Sequence, residues 1–179
     1  LLLGGTALAL TACSPVAEVS SPLSAEEKPN VEIRDGELAR YTPDGKLTWV
    51  LRSPSLAYYE EKEQTRAQDV EVRFFDAQGR EALRVRAQEL IFFHETGDFM
   101  LRGDIQGQDP EGLRFRTEEA RWEEREGVLR GNRPIEVERP DSQLRGSGFA
   151  YFPREGKLVV HDARLQLFLS PSSPDSGDG

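Results

Sequence analysis

Three groups of side chains in this 179-residue chain are reactive enough to suggest chemistry. The first is Cys13, the single cysteine, which rules out an internal disulfide and leaves a thiol free to react or be acylated. The second is His94 with Glu95 and Asp98 in the stretch HETGD. A histidine beside carboxylates could move protons, but no serine or cysteine nucleophile accompanies it. The third is the glutamate-rich pair YYEEKEQ and TEEARWEERE. Paired carboxylates do acid–base work only in a pocket that splits their pKa values. These glutamates fall on strand phases or turns that face solvent, so they read as a wetted surface. His94 and His161 are too few and too far apart for a zinc site. The chain is therefore read as having no catalytic residues, no metal ligands and no cofactor.

The pattern that does repeat is aromatic. Four segments align on an arginine: RSPSLAYY from Arg52, RAQELIFF from Arg86, RTEEARWE from Arg116 and RGSGFAYF from Arg145. The steps between them are 34, 30 and 29 residues. Four positions on stand Leu56, Leu90, Ala120 and Phe149. Six positions on stand Tyr58, Phe92, Trp122 and Tyr151. Before each arginine the apolar residues alternate in the opposite phase, as in Leu47, Trp49, Leu51 or Leu113, Phe115. In a straight strand that flip would turn half the apolar side chains to water. A bulge or corner between the halves restores one inward face, and Ser53, Pro54, Gly146 and Gly148 suit such a corner.

Return strands follow each arginine by about 19 residues, at DVEVRFF, LRGDI, GNRPIEV and DARLQLF. Turn chemistry separates the units at PDGK, DAQG, DPEG and PREG. TEEARWEE has fair helix propensity, but its place in the repeat makes it a strand. Two-strand units of about 30 residues must stack to bury a face. The expected fold is all-β, an antiparallel jelly roll or a short solenoid of about four repeats over 31–169, open at both ends. Its edges would be NVEIRDG, with Val31 and Ile33, and HDARLQLFL, with Leu165 and Leu167. The last is more apolar than a free edge should be, which favours strand addition by a partner.

Composition supports a water-exposed domain of ordinary size. Charged residues make up 31% and the net charge is −9, which argues against nucleic acid. Residues 1–13, LLLGGTALALTAC, are apolar and uncharged, too short to span a bilayer, and fit the core of a secretory signal. Leu10, Thr11 and Ala12 before Cys13 resemble a bacterial lipobox, which would make Cys13 the acylated residue of a lipoprotein. An ordinary signal peptide and a clipped transmembrane anchor are the alternatives. Residues 14–30 read as a flexible tether, and 170–179 as a disordered tail.

The span 38–169 resembles the LptC family, the periplasmic component of the lipopolysaccharide-export ABC transporter, and more loosely LptA and the LptD N-terminal domain. The resemblance is most specific over 113–167, in the order RTEEARW, RPIEV, RGSGFAY and KLVVHDARLQL. It implies a jelly roll whose apolar interior holds the acyl chains of lipopolysaccharide. It also implies permease subunits of the transporter at one edge, an LptA-like jelly roll at the C-terminal edge, and no chemistry in this chain. Typical members carry an uncleaved transmembrane helix where this chain has a lipobox-like run. That run implies a periplasmic protein anchored through lipid, at the inner membrane if it serves a transporter. Ser14 after the cysteine points in some bacteria to the outer membrane instead. On this reading Trp49, Tyr58, Leu90, Phe92, Phe115, Trp122, Phe149 and Tyr151 line a lipid groove. The same residues could equally fill a packed core. The rival function is a β-repeat lipoprotein scaffold that joins envelope proteins by its edges and carries no lipid.

Overall fold

The computed structural model describes residues 28–168. The acylation expected at Cys13, the 1–13 signal segment, most of the 14–30 tether and the 170–179 tail lie outside the described residues. Twelve strands follow in order: β1 (Val31–Tyr41), β2 (Leu47–Tyr59), β3 (Gln64–Phe75), β4 (Glu81–Phe93), β5 (Phe99–Gln108) and β6 (Arg114–Glu123); then β7 (Val128–Gly131), β8 (Ile135–Arg139), β9 (Ser142–Gly146), β10 (Gly148–Phe152), β11 (Lys157–His161) and β12 (Arg164–Leu167). Every ladder among them is antiparallel, which excludes the solenoid.

The sheet forks at β6. Arg121–Glu123 pairs with β7, and the path continues to β10 and β11. Arg114–Arg116 pairs with β8, and that path continues to β9 and β12. So β7–β8, β9–β10 and β11–β12 are long strands broken in the middle, and β1–β6 are long strands bent in the middle. All the halves before and after the bends form two facing layers. The first layer ends in β11 and the second in β12.

The phase flip read from the sequence is the bend. Inward burial passes from Ser53 to Leu56, from Ala87 to Leu90 and from Thr117 to Ala120. The register of β4 against β5 shifts at the same level, between Arg86 and Glu89. The intervening strands bend by another device. Asp35, Asp69 and Asp104 have left-handed φ of 51°, 50° and 38°, and Asp162 has 49° between β11 and β12. Aspartate tolerates this region better than most residues because its short side chain bonds locally. The buried hydroxyls at the bends find partners. Ser53 Oγ lies 2.7 Å from the Ser55 carbonyl and also contacts the Gln68 carbonyl. Thr117 Oγ1 donates to the Pro134 carbonyl at 3.0 Å.

The four expected turns are present, each closed by a glycine N–H: Gly45 to Thr42 O, Gly79 to Asp76 O, Gly112 to Asp109 O and Gly156 to Pro153 O. TEEARWEE lies in β6 as expected, because paired neighbours on both sides outweigh its weak helix preference. Two inward aromatics lie flat over glycines on the facing strand. A Cβ at Gly107 would come within 2.1 Å of the Phe115 ring, and one at Gly131 within 2.3 Å of Phe149. Glycine there lets a large ring cover the backbone of its cross-strand partner.

Candidate functional site: the interior of the roll and its two ends

The middle of the interior is built from rings of opposite layers. Trp49 and Phe74 come from the second layer, and Phe92, Phe99 and Trp122 from the first. Trp49 meets Phe92 at 5.8 Å and Phe99 at 5.3 Å between centroids, and Phe74 meets Trp122 at 4.9 Å. Phe115 and Phe149 form a second cross-layer pair at 5.4 Å, nearer the C-terminal end. Each such pair adds about 0.5–1.5 kcal/mol beyond its area burial.

Of the residues expected to line a groove, Trp49, Leu90, Phe92, Phe115, Trp122, Phe149 and Tyr151 are buried in this one cluster. Tyr58 is only half-buried and stands at its rim. Sequence reasoning missed Phe74 and Phe99. Phe74 was legible as the next step of the Val70, Val72 alternation, and Phe99 as the first apolar residue after HETGD.

Both ends open between the layers. At the β1 end a cleft of about 600 Å³ is lined by Val31, Ile33, Leu38, Leu56, Tyr58, Thr65 and His94, with Glu37, Glu63 and Glu95 at its margin. His94 is held there by Thr65, with Oγ1 and Nε2 2.8 Å apart, and stands edge-on to Tyr58 and Phe92. Its ring is thus fixed by one hydroxyl and two aromatic neighbours. At the other end a cleft of about 310 Å³ is lined by Leu113, Val137, Leu144, Tyr151, Leu158, Val160 and Leu165.

The margin away from the bends carries polar ties between the layers. Glu124, in the β6–β7 turn, accepts from Trp122 Nε1 at 2.7 Å and Trp49 Nε1 at 3.2 Å on one oxygen. Its other oxygen accepts from Arg40 Nε at 3.0 Å. The Glu124 N–H donates to Asp98, whose other oxygen holds Arg121 at 2.7 Å. Farther along the margin, Tyr151 donates its hydroxyl to the Ala82 carbonyl at 3.0 Å. Burial, and then the charges of Asp109 and Glu111, push its pKa up to about 12. A polar slot of about 470 Å³ beside it is lined by Asp76, Arg80, Asp109, Glu111 and Arg154 among others. Among the described residues no cluster of histidines, cysteines and carboxylates could hold a metal ion. Among them, too, no helix is long and apolar enough to cross a membrane.

Among the described residues, the expected edge residues lie on two opposite edge strands. Val31 and Ile33 are each 49% exposed on β1, and Leu165 and Leu167 are 58% and 65% exposed on β12. On the outer face of the second layer a charge ladder runs from edge to edge. Glu37 faces Arg52, Arg52 faces Glu71, and Glu71 faces Arg86. Beyond Gln106, Arg116 faces Glu136, Glu136 faces Arg145, and Arg145 faces Arg164 on the last strand.

A family model described as lipopolysaccharide-assembly, LptC-related, matches residues 2–163. The chain belongs to the LptC family. Membership makes it a periplasmic component of lipopolysaccharide transport. Among solved structures it is similar to LptH of Pseudomonas aeruginosa, described as the LptA-homologous periplasmic component of the conserved lipopolysaccharide transport device. The TM-score is 0.50 at 8% identity, over 69% of this chain and 95% of that one, so that likeness speaks for the shared all-β fold. No curated protein matches the chain.

Proposed function

We propose that this LptC-family protein is a non-enzymatic carrier that accepts lipopolysaccharide, or a related glycolipid, from an ABC transporter. It passes the lipid along the interior of the roll to a partner jelly roll. The residues holding acyl chains are Trp49, Tyr58, Leu90, Phe92, Phe115, Trp122, Phe149 and Tyr151. Permease subunits meet one edge, at Val31 and Ile33, and an LptA-like protein meets the other, at Leu165 and Leu167. Cys13 supplies a lipid anchor that holds the domain at the periplasmic face of the inner membrane. The observation that carries this reading is the apolar cleft between the layers at each end, with an inward face joining them that is apolar apart from a few hydroxyls such as Ser53, Thr65 and Thr117. Clefts of this kind, apolar with a few polar groups at the margin, suit amphiphiles.

The test is native mass spectrometry of the protein incubated with lipopolysaccharide, combined with photo-crosslinkers placed at Tyr58 and Leu144. Bound glycolipid that crosslinks at both ends supports carriage. A clean unliganded mass refutes it.

The scaffold reading has one observation in its favour, the close contact of the rings in the middle of the interior. The two readings part at Phe92→Asp. A carrier loses transfer with that change. A scaffold loses only stability, and depends instead on edge changes such as Leu167→Asp.

A further inference from the structure

The chain has two tryptophans, one in each layer, and both donate to the same carboxylate. We infer that Glu124 is the latch of a gate across the middle of the roll, and that an acylated amphiphile crosses only when this latch releases Trp49 and Trp122. The inference rests on the proposed function and adds to it a moving part and a residue that controls it.

The geometry leaves few ways to open the interior. The layers are continuous chain at the bends, so they can part only along the opposite margin, hinging on the bends. The Glu124 cluster ties that margin over the ring cluster. Trp49 and Arg40 belong to paired positions of β2 and β1, while Trp122 and Glu124 belong to β6 and its turn. While Trp49 touches Phe99 and Phe74 touches Trp122, the two end clefts are separated by packed rings. Rings in contact can slide apart without a directional penalty. Two indole N–H groups on one carboxylate cannot, because a buried indole donor needs an acceptor.

The latch is also firmly mounted. Glu124 is 18% exposed at its side chain, and its backbone N–H is pinned to Asp98. Gly97 in the neighbouring turn has φ +77°, and a Cβ there would crowd Glu124 Cγ at 3.1 Å. Arg40 is half-exposed and can follow the carboxylate outward, so the charge keeps a partner when the margin opens. The indoles then take acceptor oxygens from the cargo. This favours amphiphiles with ester, hydroxyl or phosphate oxygens next to the acyl chains over plain hydrocarbon.

With only two tryptophans, the two ¹⁵N indole resonances of the full chain report on this cluster alone. Lipopolysaccharide is the probe, and its uptake is followed separately by native mass spectrometry. Both indole signals are expected to shift together as the lipid binds. Glu124→Gln is expected to speed both indole proton exchange and uptake on the order of tenfold, as loss of one charge-assisted hydrogen bond would. A merely structural role predicts the reverse, a weaker protein that takes up lipid no faster. Should Glu124→Gln not fold, Trp49→Phe, which keeps a ring but gives up its bond to Glu124, is read in the same way from uptake and from the remaining Trp122 indole. Uptake that moves neither indole overturns the gate and leaves the carrier standing. A folded variant whose uptake is no faster than that of the parent overturns the latch. If the mass shows no uptake at all, carrier and gate fall together.

Discussion

β1 and the β11–β12 pair end the same sheet in different ways. β1 is 11 residues long and unbroken, and it is tied inward by charge: Glu37 to Arg52 at 2.6 Å, and Arg40 to Glu124 at 3.0 Å. Asn30, just before it, accepts from the Glu60 N–H at 2.9 Å. β12 is four residues long, wholly exposed, and presents Arg164 directly to Arg145. Like charges facing each other across a ladder are unfavourable, and Arg145 already serves Glu136. One end is thus tied down by its own side chains, with Val31 and Ile33 left half-exposed. The other, among the described residues, leaves Leu165 and Leu167 exposed and two arginines face to face. The same contrast separates the bent strands β1–β6 from the broken β7–β12. A bulge keeps pairing on both sides of the corner, whereas a break gives up the ladder there.

Four experiments press on this contrast. The largest effect is expected from Phe115→Ala, which removes a ring shared by both layers and uncovers Gly107. It should cost about 3–5 kcal/mol in urea unfolding with one transition retained. Two transitions would mean that β7–β12 fold as a separate unit and the contrast is one of domains. Next come the bends. Ser53→Ala strips a buried bend of its hydroxyl and should cost about 1–3 kcal/mol. Ser147→Ala, at the exposed break where Ser147 Oγ meets Asp162, should stay within about 0.5 kcal/mol. Equal losses would erase the distinction between bend and break.

The third test uses pH. The Tyr151 pKa is raised from 10.0 to about 12 in the fold. A raised folded value means its contribution is whole below pH 10 and is lost as pH rises through about 12. Stability should therefore fall over that window, and Tyr151→Phe should remove this part of the slope while losing the bond to the Ala82 carbonyl. An unchanged slope would show that the C-terminal end does not depend on this tie. The smallest effect is Arg164→Glu, which turns the last rung of the ladder into an attractive pair. It should raise stability by about 0.2–1 kcal/mol in thermal or urea unfolding. The same change should weaken any partner strand that brings its own carboxylate to Arg164.

Much of the fold was legible because alternation has a period of two and a buried face tolerates no slip. The flip after Arg52, Arg86 and Arg116 marked bends, the one after Arg145, read as a bend, fell at the break between β9 and β10, and PDGK, DAQG, DPEG and PREG marked the turns. The other set of bends was equally written, as Asp35, Asp69, Asp104 and Asp162, but aspartate in a strand passes for surface charge until its φ is seen. The breaks within β7–β8, β9–β10 and β11–β12 were not legible, because a bend and a break use the same small and polar residues.

The inward aromatics of the candidate site could be read from phase alone, Trp49 and Trp122 among them. That one carboxylate serves both could not. Trp49 and Glu124 are 75 residues apart. They meet only because the bends fold one layer onto the other, and Glu124 sits in a turn where glutamate is ordinarily solvent-exposed. By itself the sequence determined an all-β chain of repeated bent hairpins with one apolar face and apolar edges, since local phase and turn chemistry specify those. The tertiary structure decided which rings meet across the interior, which edge strand is held by ion pairs and where the margin is tied. Those depend on the stagger between layers, and no local pattern encodes it.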